Sequence, residues 1–234
     1  MYKIADLCID FSGNIQYVKK LCRNFLCDET KADIEINISD EDIKKETENA
    51  EEGAKAWGIE SSAANRKIAE ILPLYNGFLL HSAVMDVDGV GVAFAARSGT
   101  GKTTHLNRWK NYLGDRLTVI NGDKPFVRFF EGESYPIAYG TPWRGKEGFG
   151  NTGKTKLKHI CFIERGAENK AEKMDKDTAA DLLFMQIYMP VSPIAAANTL
   201  MLINKIIETC EFWKITCNMD EDAAQIPYKT VFER

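Results

Sequence analysis

The sequence predicts an α/β domain with mixed sheets organised around a P-loop. A small N-terminal α/β portion covers residues 1–75, and a nucleotide-binding part with C-terminal helices covers residues 76–234. Three observations carry this. The run Val90-Gly91-Val92-Ala93-Phe94-Ala95 has the content of a buried strand, and a Gly-rich turn joins it to Thr104-His105-Leu106-Asn107-Arg108-Trp109-Lys110, whose Leu106 and Trp109 fall at helical spacing. Asp88-Gly89 lies between that strand and the apolar run before it, a hairpin signal that pairs the two antiparallel. Toward the C-terminus, apolar residues recur at helical intervals over residues 178–189 and 194–210.

In chain order, residues 2–11 alternate as one strand, and Asp33-Ile34-Glu35-Ile36-Asn37-Ile38 alternates strictly, with its isoleucines on one face. Between them Tyr17, Val18, Leu21, Cys22 and Phe25 repeat at helical intervals. Ser39 followed by Asp42 is an acidic capping box opening a charged helix over residues 40–52, which reads as a solvated face or an acidic docking site. Residues 78–87 form a second apolar strand that turns at Asp88-Gly89 into the P-loop strand, unlike the parallel βαβ of a dinucleotide fold. Residues 117–123 are an apolar strand ending in Asp123, residues 126–130 and 135–139 a hairpin about Glu131-Gly132, and residues 157–165 and 212–217 two further strands. Pro190 halts the first C-terminal helix and Ser192-Pro193 starts the second. The stripe of Leu182, Leu183, Met185 and Met189 reads as core.

The chemistry concentrates in Ala96-Arg97-Ser98-Gly99-Thr100-Gly101-Lys102-Thr103. The N–H groups around Ser98, Gly99, Thr100 and Gly101 stand at a helix N-terminus, where orphan donors and the helix dipole suit a phosphate. Lys102 offers a point charge to the β- and γ-phosphates, and the Thr103 hydroxyl, followed by Thr104, a ligand to Mg²⁺. Ala96 replaces the first glycine of the usual G-x-x-x-x-G-K-S/T, a change of one methyl; the competing reading is a chance strand-turn-helix. Asp123, at the tip of a strand expected beside the P-loop, suits Mg²⁺ or is a plain turn residue. Residues 140–154 are Gly-rich and cationic. There Arg144, Lys146 and Lys154 could meet phosphate and Glu147 could orient a nucleophile, or the segment is a mobile surface loop.

Composition narrows the partners. The chain has 234 residues, 44% of them apolar, and a net charge of −4, so a sizeable core is expected and nucleic acid is not. An acid as early as Asp6, and no apolar run long enough to span a bilayer, predict a cytoplasmic protein without a membrane partner. Cys8, Cys22, Cys27, Cys161, Cys210 and Cys217 include no C-x-x-C pair and read as small buried hydrophobes, and His81, His105 and His159 are scattered without ligand spacing.

The run from His81 through the Val87-Asp88-Gly89-Val90-Gly91-Val92 hairpin to Ser98-Gly99-Thr100-Gly101-Lys102-Thr103 resembles the catalytic domain of HPr kinase/phosphorylase. That family carries a histidine opening a strand, a V-D-x-x-G-V-G-V hairpin and S-G-x-G-K-S/T. The P-loop and Gly122-Asp123 also resemble ATP-dependent phosphoenolpyruvate carboxykinase, which shares that fold and follows its P-loop with G-D-D. The match spans residues 80–123 with specific motifs and the rest only by order of elements.

The resemblance implies a carboxykinase-like fold in which Lys102 and Thr103 bind ATP·Mg²⁺, Asp123 fills one acid of a metal/base pair and His81 lies near the phosphates. Lys124 stands where the family has the second acid, and Arg144-Gly145 only faintly resembles its R-G signature. On its own, His81 reads equally as a satisfied strand-end histidine. The expectation is an ATP- and Mg²⁺-dependent kinase acting on a hydroxyl of a peptide, protein or small molecule, with homo-oligomerisation open. The alternatives are a nucleotide-binding module without turnover, which Lys124 favours, and ATP hydrolysis that drives a partner.

Overall fold

The computed structural model describes residues 1–96, 101–218 and 220–233, without the side chain of Glu221. The chain opens with β1 (Tyr2–Ile4) and β2 (Leu7–Gly13), an antiparallel hairpin turning at Ala5 and Asp6, both at positive φ. The single strand expected over residues 2–11 is therefore two, because a two-residue turn leaves the alternation of side chains unbroken. β2 passes through α1 (Gln16–Leu21) to pair parallel with β3 (Ile34–Ile38). α2 (Asp40–Asn49) begins with the expected capping box: the Ser39 hydroxyl accepts from the Asp42 N–H, and the Asp42 carboxylate accepts from the Ser39 N–H at 2.8 Å. α3 (Ala56–Ile71) has no counterpart in the sequence reading, since its buried face includes Ala63, Ala64 and Ala69, a faint apolar stripe.

The remaining elements are β4 (Gly77–Leu79), β5 (Ala83–Val87), β6 (Val90–Ala95), α4 (Lys102–Leu113), β7 (Leu117–Asn121), β8 (Phe126–Arg128), β9 (Ile137–Tyr139), β10 (Lys154–Arg165), β11 (Lys170–Lys173), α5 (Lys176–Phe184), α6 (Pro193–Thr209), β12 (Glu211–Cys217) and α7 (Gln225–Phe232). Residues 78–87 are not one strand. Their first part is β4, paired with β8, and their last is β5, paired with β6 and β7, with a break at residues 80–82. The nine strands β4–β12 follow the path β4-β8-β9-β10-β6-β5-β7, with β12 on β10 and β11 on β12. β10 is the hinge of this path: its first residues pair with β9, and its remainder runs parallel to both β6 and β12.

Alternation along β6 divides the core. Ala93 and Ala95 face a layer with Phe78, Ile160, Phe162 and the α5–α6 residues Leu183, Leu202 and Ile206. Val92 and Phe94 face Leu106 and Trp109 of α4 and Tyr228 and Val231 of α7. A third apolar cluster joins Ile9, Ile36, Ile38 and Ile68 of the first 75 residues to Phe126, Tyr139 and Trp143. The C-terminal stripe divides where the sequence reads core throughout: Leu183 is fully buried, but Leu182 is 39% and Met185 77% exposed.

Candidate active site at the sheet edge

Strand direction assembles the site. β6 and β10 run parallel, and antiparallel β5 lies between β6 and β7, which makes β7 parallel to β6 as well. The C-terminal ends of β6, β7 and β10 therefore share one edge with the beginning of β5. In open sheets this is where ligands sit. The sequence expectation that the strand of Asp123 lies beside the P-loop strand is thereby corrected: β5 intervenes, and the residue entering β5 is His81.

His81 is held by the chain around it. Its N–H donates to the Gln186 carbonyl at 2.7 Å, the Leu80 N–H to Pro125 O at 3.1 Å, and the Ser82 N–H to Asp123 O at 3.0 Å. His81 Nε2 then lies 3.3 Å from Asp123 Oδ1 and 3.4 Å from Lys102 Nζ. A protonated Nε2 donates to the carboxylate, whereas a bare Nε2 accepts from the ammonium; one nitrogen cannot do both. His81 Nε2 thus has two alternative hydrogen bonds within reach.

Asp123 follows an Asn121-centred turn, in which Asn121 Oδ1 accepts the N–H groups of both Asp123 and Lys124 at 2.8 Å, and Asn121 Nδ2 donates to Thr141 Oγ1 at 2.9 Å. Burial would raise the Asp123 carboxyl, but the hydrogen bond from His81 and the charges of Lys124, His81 and Lys102 outweigh it and hold the group below its ordinary range. Lys102 is pulled the other way. Partial burial lowers its pKa, and the Asp123 charge opposes this. Its Nζ also donates to the Ala96 carbonyl at 3.1 Å.

α4 begins at Gly101, whose φ of 112° suits glycine and where a Cβ would meet none of the described residues within 4 Å. Among the described residues no side chain caps this end, and the helical ladder starts with the His105 N–H on Gly101 O at 2.9 Å, so the N–H groups of Lys102, Thr103 and Thr104 lie outside it. Thr103 is half-buried and Thr104 exposed. Ser98, Gly99 and Thr100 lie outside the described residues.

Residues 140–153 form the irregular segment expected, but much of it is pinned. The Gly122 N–H donates to Phe149 O at 2.9 Å and the Asn151 N–H to Ile120 O at 3.1 Å. Arg144 donates to Thr141 O at 3.1 Å and Gly150 O at 3.0 Å and covers the Phe25 ring, so its guanidinium braces the segment. Lys154 pairs with Asp6 at 2.6 Å, on the N-terminal hairpin. Lys146 and Glu147 stand exposed at the tip. Gly145 closes over the acid: at φ 75°, a Cβ there would lie 3.1 Å from that of Asp123.

Two groups went unassigned in the sequence reading. Ser82 Oγ, in a fully buried side chain, and Gln186 Oε1 are buried without a hydrogen-bond partner among the described residues. Neither carries a motif; only the fold brings them beside His81 and Asp123. A cleft of about 1150 Å³ opens at the same edge, lined among others by His81, Ala96, Phe162, Met174, Met185 and Gln186.

No family model matches the chain, and no curated protein sequence matches it. Among solved structures, the HPr(Ser) kinase/phosphatase from Coxiella burnetii aligns over 65% of this chain and 93% of its own, at 8% identity and a TM-score of 0.35. A likeness of that size fixes neither family nor activity.

Proposed function

We propose that the chain is an ATP- and Mg²⁺-dependent kinase that transfers a phosphoryl group to a hydroxyl. The observation that carries this reading is the Lys102–His81–Asp123 cluster, set at the N-terminus of α4 on the carboxyl edge of a mixed sheet. The residues fit the nucleotide. The amides at residues 102–104, outside the helical ladder, and Lys102 suit phosphate oxygens. The Thr103 hydroxyl and the Asp123 carboxylate would hold Mg²⁺, a cation bound through one or two protein oxygens together with phosphates. When bound, ATP·Mg²⁺ supplies the phosphoryl group.

The chain's own groups do the rest. Lys102 neutralises charge, Asp123 stays ionised, and His81 Nε2 takes the acceptor's proton. Lys124, beside Asp123, adds a second positive charge to the acid but no metal ligand. Arg144 is better placed to brace residues 140–153 than to meet phosphate, and Glu147 stays available as an orienting carboxylate at their tip.

A ligand held only by the folded state at about a hundredfold its Kd adds ~2.7 kcal/mol. ATP·Mg²⁺ is therefore expected to raise the melting temperature, Lys102→Ala to remove most of that rise, and Asp123→Asn to stop transfer of label from γ-labelled ATP while sparing part of the binding. A wild-type protein that no nucleotide stabilises sinks the reading; one that binds ATP and neither transfers nor hydrolyses it is the binding module instead.

A further inference from the structure

We infer that Cys8 and Cys27 form a reversible disulfide by exchange with a low-molecular-weight disulfide, and that the bond clamps residues 27–33 onto the N-terminal sheet. Neither residue belongs to the Lys102–His81–Asp123 cluster, so the pair stands or falls apart from the kinase reading.

The sheet brings the two sulfurs together. Leu7 and Ile9 of β2 face the apolar cluster of the first 75 residues, so alternation turns Cys8 to the opposite face. Leu26 bridges to Tyr2 on the outer edge of β1, whereas β3 lies on the far side of β2, so residues 27–33 cross the sheet between them. Cys8 is only 5% exposed, and against its sulfur lie Cys27 Sγ at 3.6 Å and Met1 Sδ at 3.7 Å. The other four cysteines are placed differently. Cys22 and Cys161 pack inside apolar clusters, Cys210 donates to Leu157 O at 3.2 Å and Cys217 to Glu164 O at 3.7 Å.

The crossing segment can supply the movement that bonding needs. Bonded sulfurs stand ~2.0 Å apart, so the pair has to close by ~1.6 Å. β2 is held on both sides, by β1 and by β3. Residues 28–31, by contrast, are exposed and have no regular structure. What fastens them is the surface ion pair of Lys3 with Glu29 at 3.1 Å, a weak tether. The Asp33 N–H on Cys8 O at 2.8 Å and the Cys27 N–H on Met1 O at 3.2 Å hold the two ends of the crossing.

The two sulfurs divide the chemistry. Cys27 is half-buried and is the sulfur a reagent reaches. Burial, and then the neighbouring Cys27, push the Cys8 thiol up to about 11, so Cys8 keeps its proton while Cys27 is free. The Cys27 thiolate attacks one sulfur of the reagent, whose S–S bond breaks and releases one thiol. That step removes the Cys27 charge from beside Cys8. The Cys8 sulfur then attacks Cys27 Sγ, the mixed disulfide breaks, and the second thiol leaves. Two protein thiols have lost two electrons and two protons, and one reagent disulfide has become two thiols.

The test is incubation of the reduced wild-type chain with oxidised glutathione well below its melting temperature, then alkylation of free thiols, digestion without reductant and mass spectrometry. The dominant disulfide is expected to join the peptides of Cys8 and Cys27, to open again with dithiothreitol, and to raise the melting temperature by about 5 °C. Cys27→Ser, at a half-buried position that leaves the fold in place, should abolish both the linked peptide and the rise, and Cys8→Ser should halt the reaction at a glutathione adduct on Cys27. A dominant link between other cysteines, a wild-type protein that stops at the Cys27 adduct, or an oxidised protein that melts no higher than the reduced one overturns the inference.

Discussion

Histidine takes two forms in this protein, and the contrast separates its packed side from its open one. Against the face of the sheet covered by α4 and α7, His105 and His159 are 2% and 3% exposed, and each accepts an indole N–H, from Trp109 at 2.9 Å and from Trp213 at 3.2 Å. Burial pushes both down to about 4. At the sheet edge, His81 has a 40% exposed side chain and stands between a carboxylate and an ammonium. Rings make an imidazole part of the core, whereas at the sheet edge the imidazole has a carboxylate and a lysine within hydrogen-bond reach. The difference is one of neighbours, and each can be perturbed separately.

The largest effect is expected on the packed side. Trp109 meets the rings of Phe94 at 5.1 Å and of Tyr228 and Phe232 at 6.1 Å, and Trp109→Ala should cost about 3–5 kcal/mol in denaturant unfolding, including the loss of the donor to His105. A cost under about 1 kcal/mol would remove that side's claim to be core.

Next comes acid. His105 and His159 stay neutral in the fold to about 4 but titrate near 6.5 when unfolded, so the unfolded chain takes up protons first as pH falls. Their stabilising share is full above about 6.5, declines toward 4 and levels below it, by up to ~3 kcal/mol for each. His105→Phe should flatten that decline while lowering stability at neutral pH by about 1–3 kcal/mol, because the Trp109 indole loses its acceptor. A melting profile flat from pH 7 to 4 in wild type would break the contrast.

On the open side the effects on stability shrink and those on turnover grow. Gly145→Ala places a side chain at positive φ and 3.1 Å from Asp123 Cβ, which should cost about 1–2 kcal/mol and lower turnover by displacing the acid. His81→Gln should move stability by no more than ~0.5 kcal/mol while cutting transfer about 10²-fold or more. A large loss of stability in His81→Gln would place this histidine with the other two.

What could be read in the sequence follows the range of the interactions involved. The Ser39 cap, the Asp88-Gly89 hairpin, the β3 alternation, the strand β6 and the helix starting at Lys102 are set by neighbours within a few residues, and all appear where local chemistry puts them. His81 and Asp123 were singled out as candidates, but their meeting with Lys102 depends on β5 lying between β6 and β7, a matter of strand order that no local pattern encodes. Gln186 and the cleft were invisible for the same reason: α5 stops at Phe184, and the chain beyond it returns to the sheet through the Leu80–Ile187 bridge. α3 was missed because alanine marks a buried face only weakly, and Arg144 and Lys154 read as phosphate ligands because their carbonyl and carboxylate partners lie on the far side of turns or of the chain.

β10 leaves a trace in how the protein must come into being. The β5–β6 hairpin closes locally, but the other edge of β6 is completed only by residues 157–162 of β10. At synthesis rates of ~5–20 residues per second, the emerging chain carries that edge unpaired for seconds, with Val92, Phe94 and Ala95 among its residues. An unpaired apolar strand edge invites pairing with another chain. That edge of the domain thus stays open until Leu157 and the residues after it have emerged, and a nascent chain stalled before Leu157 carries an unpaired apolar strand that invites aggregation.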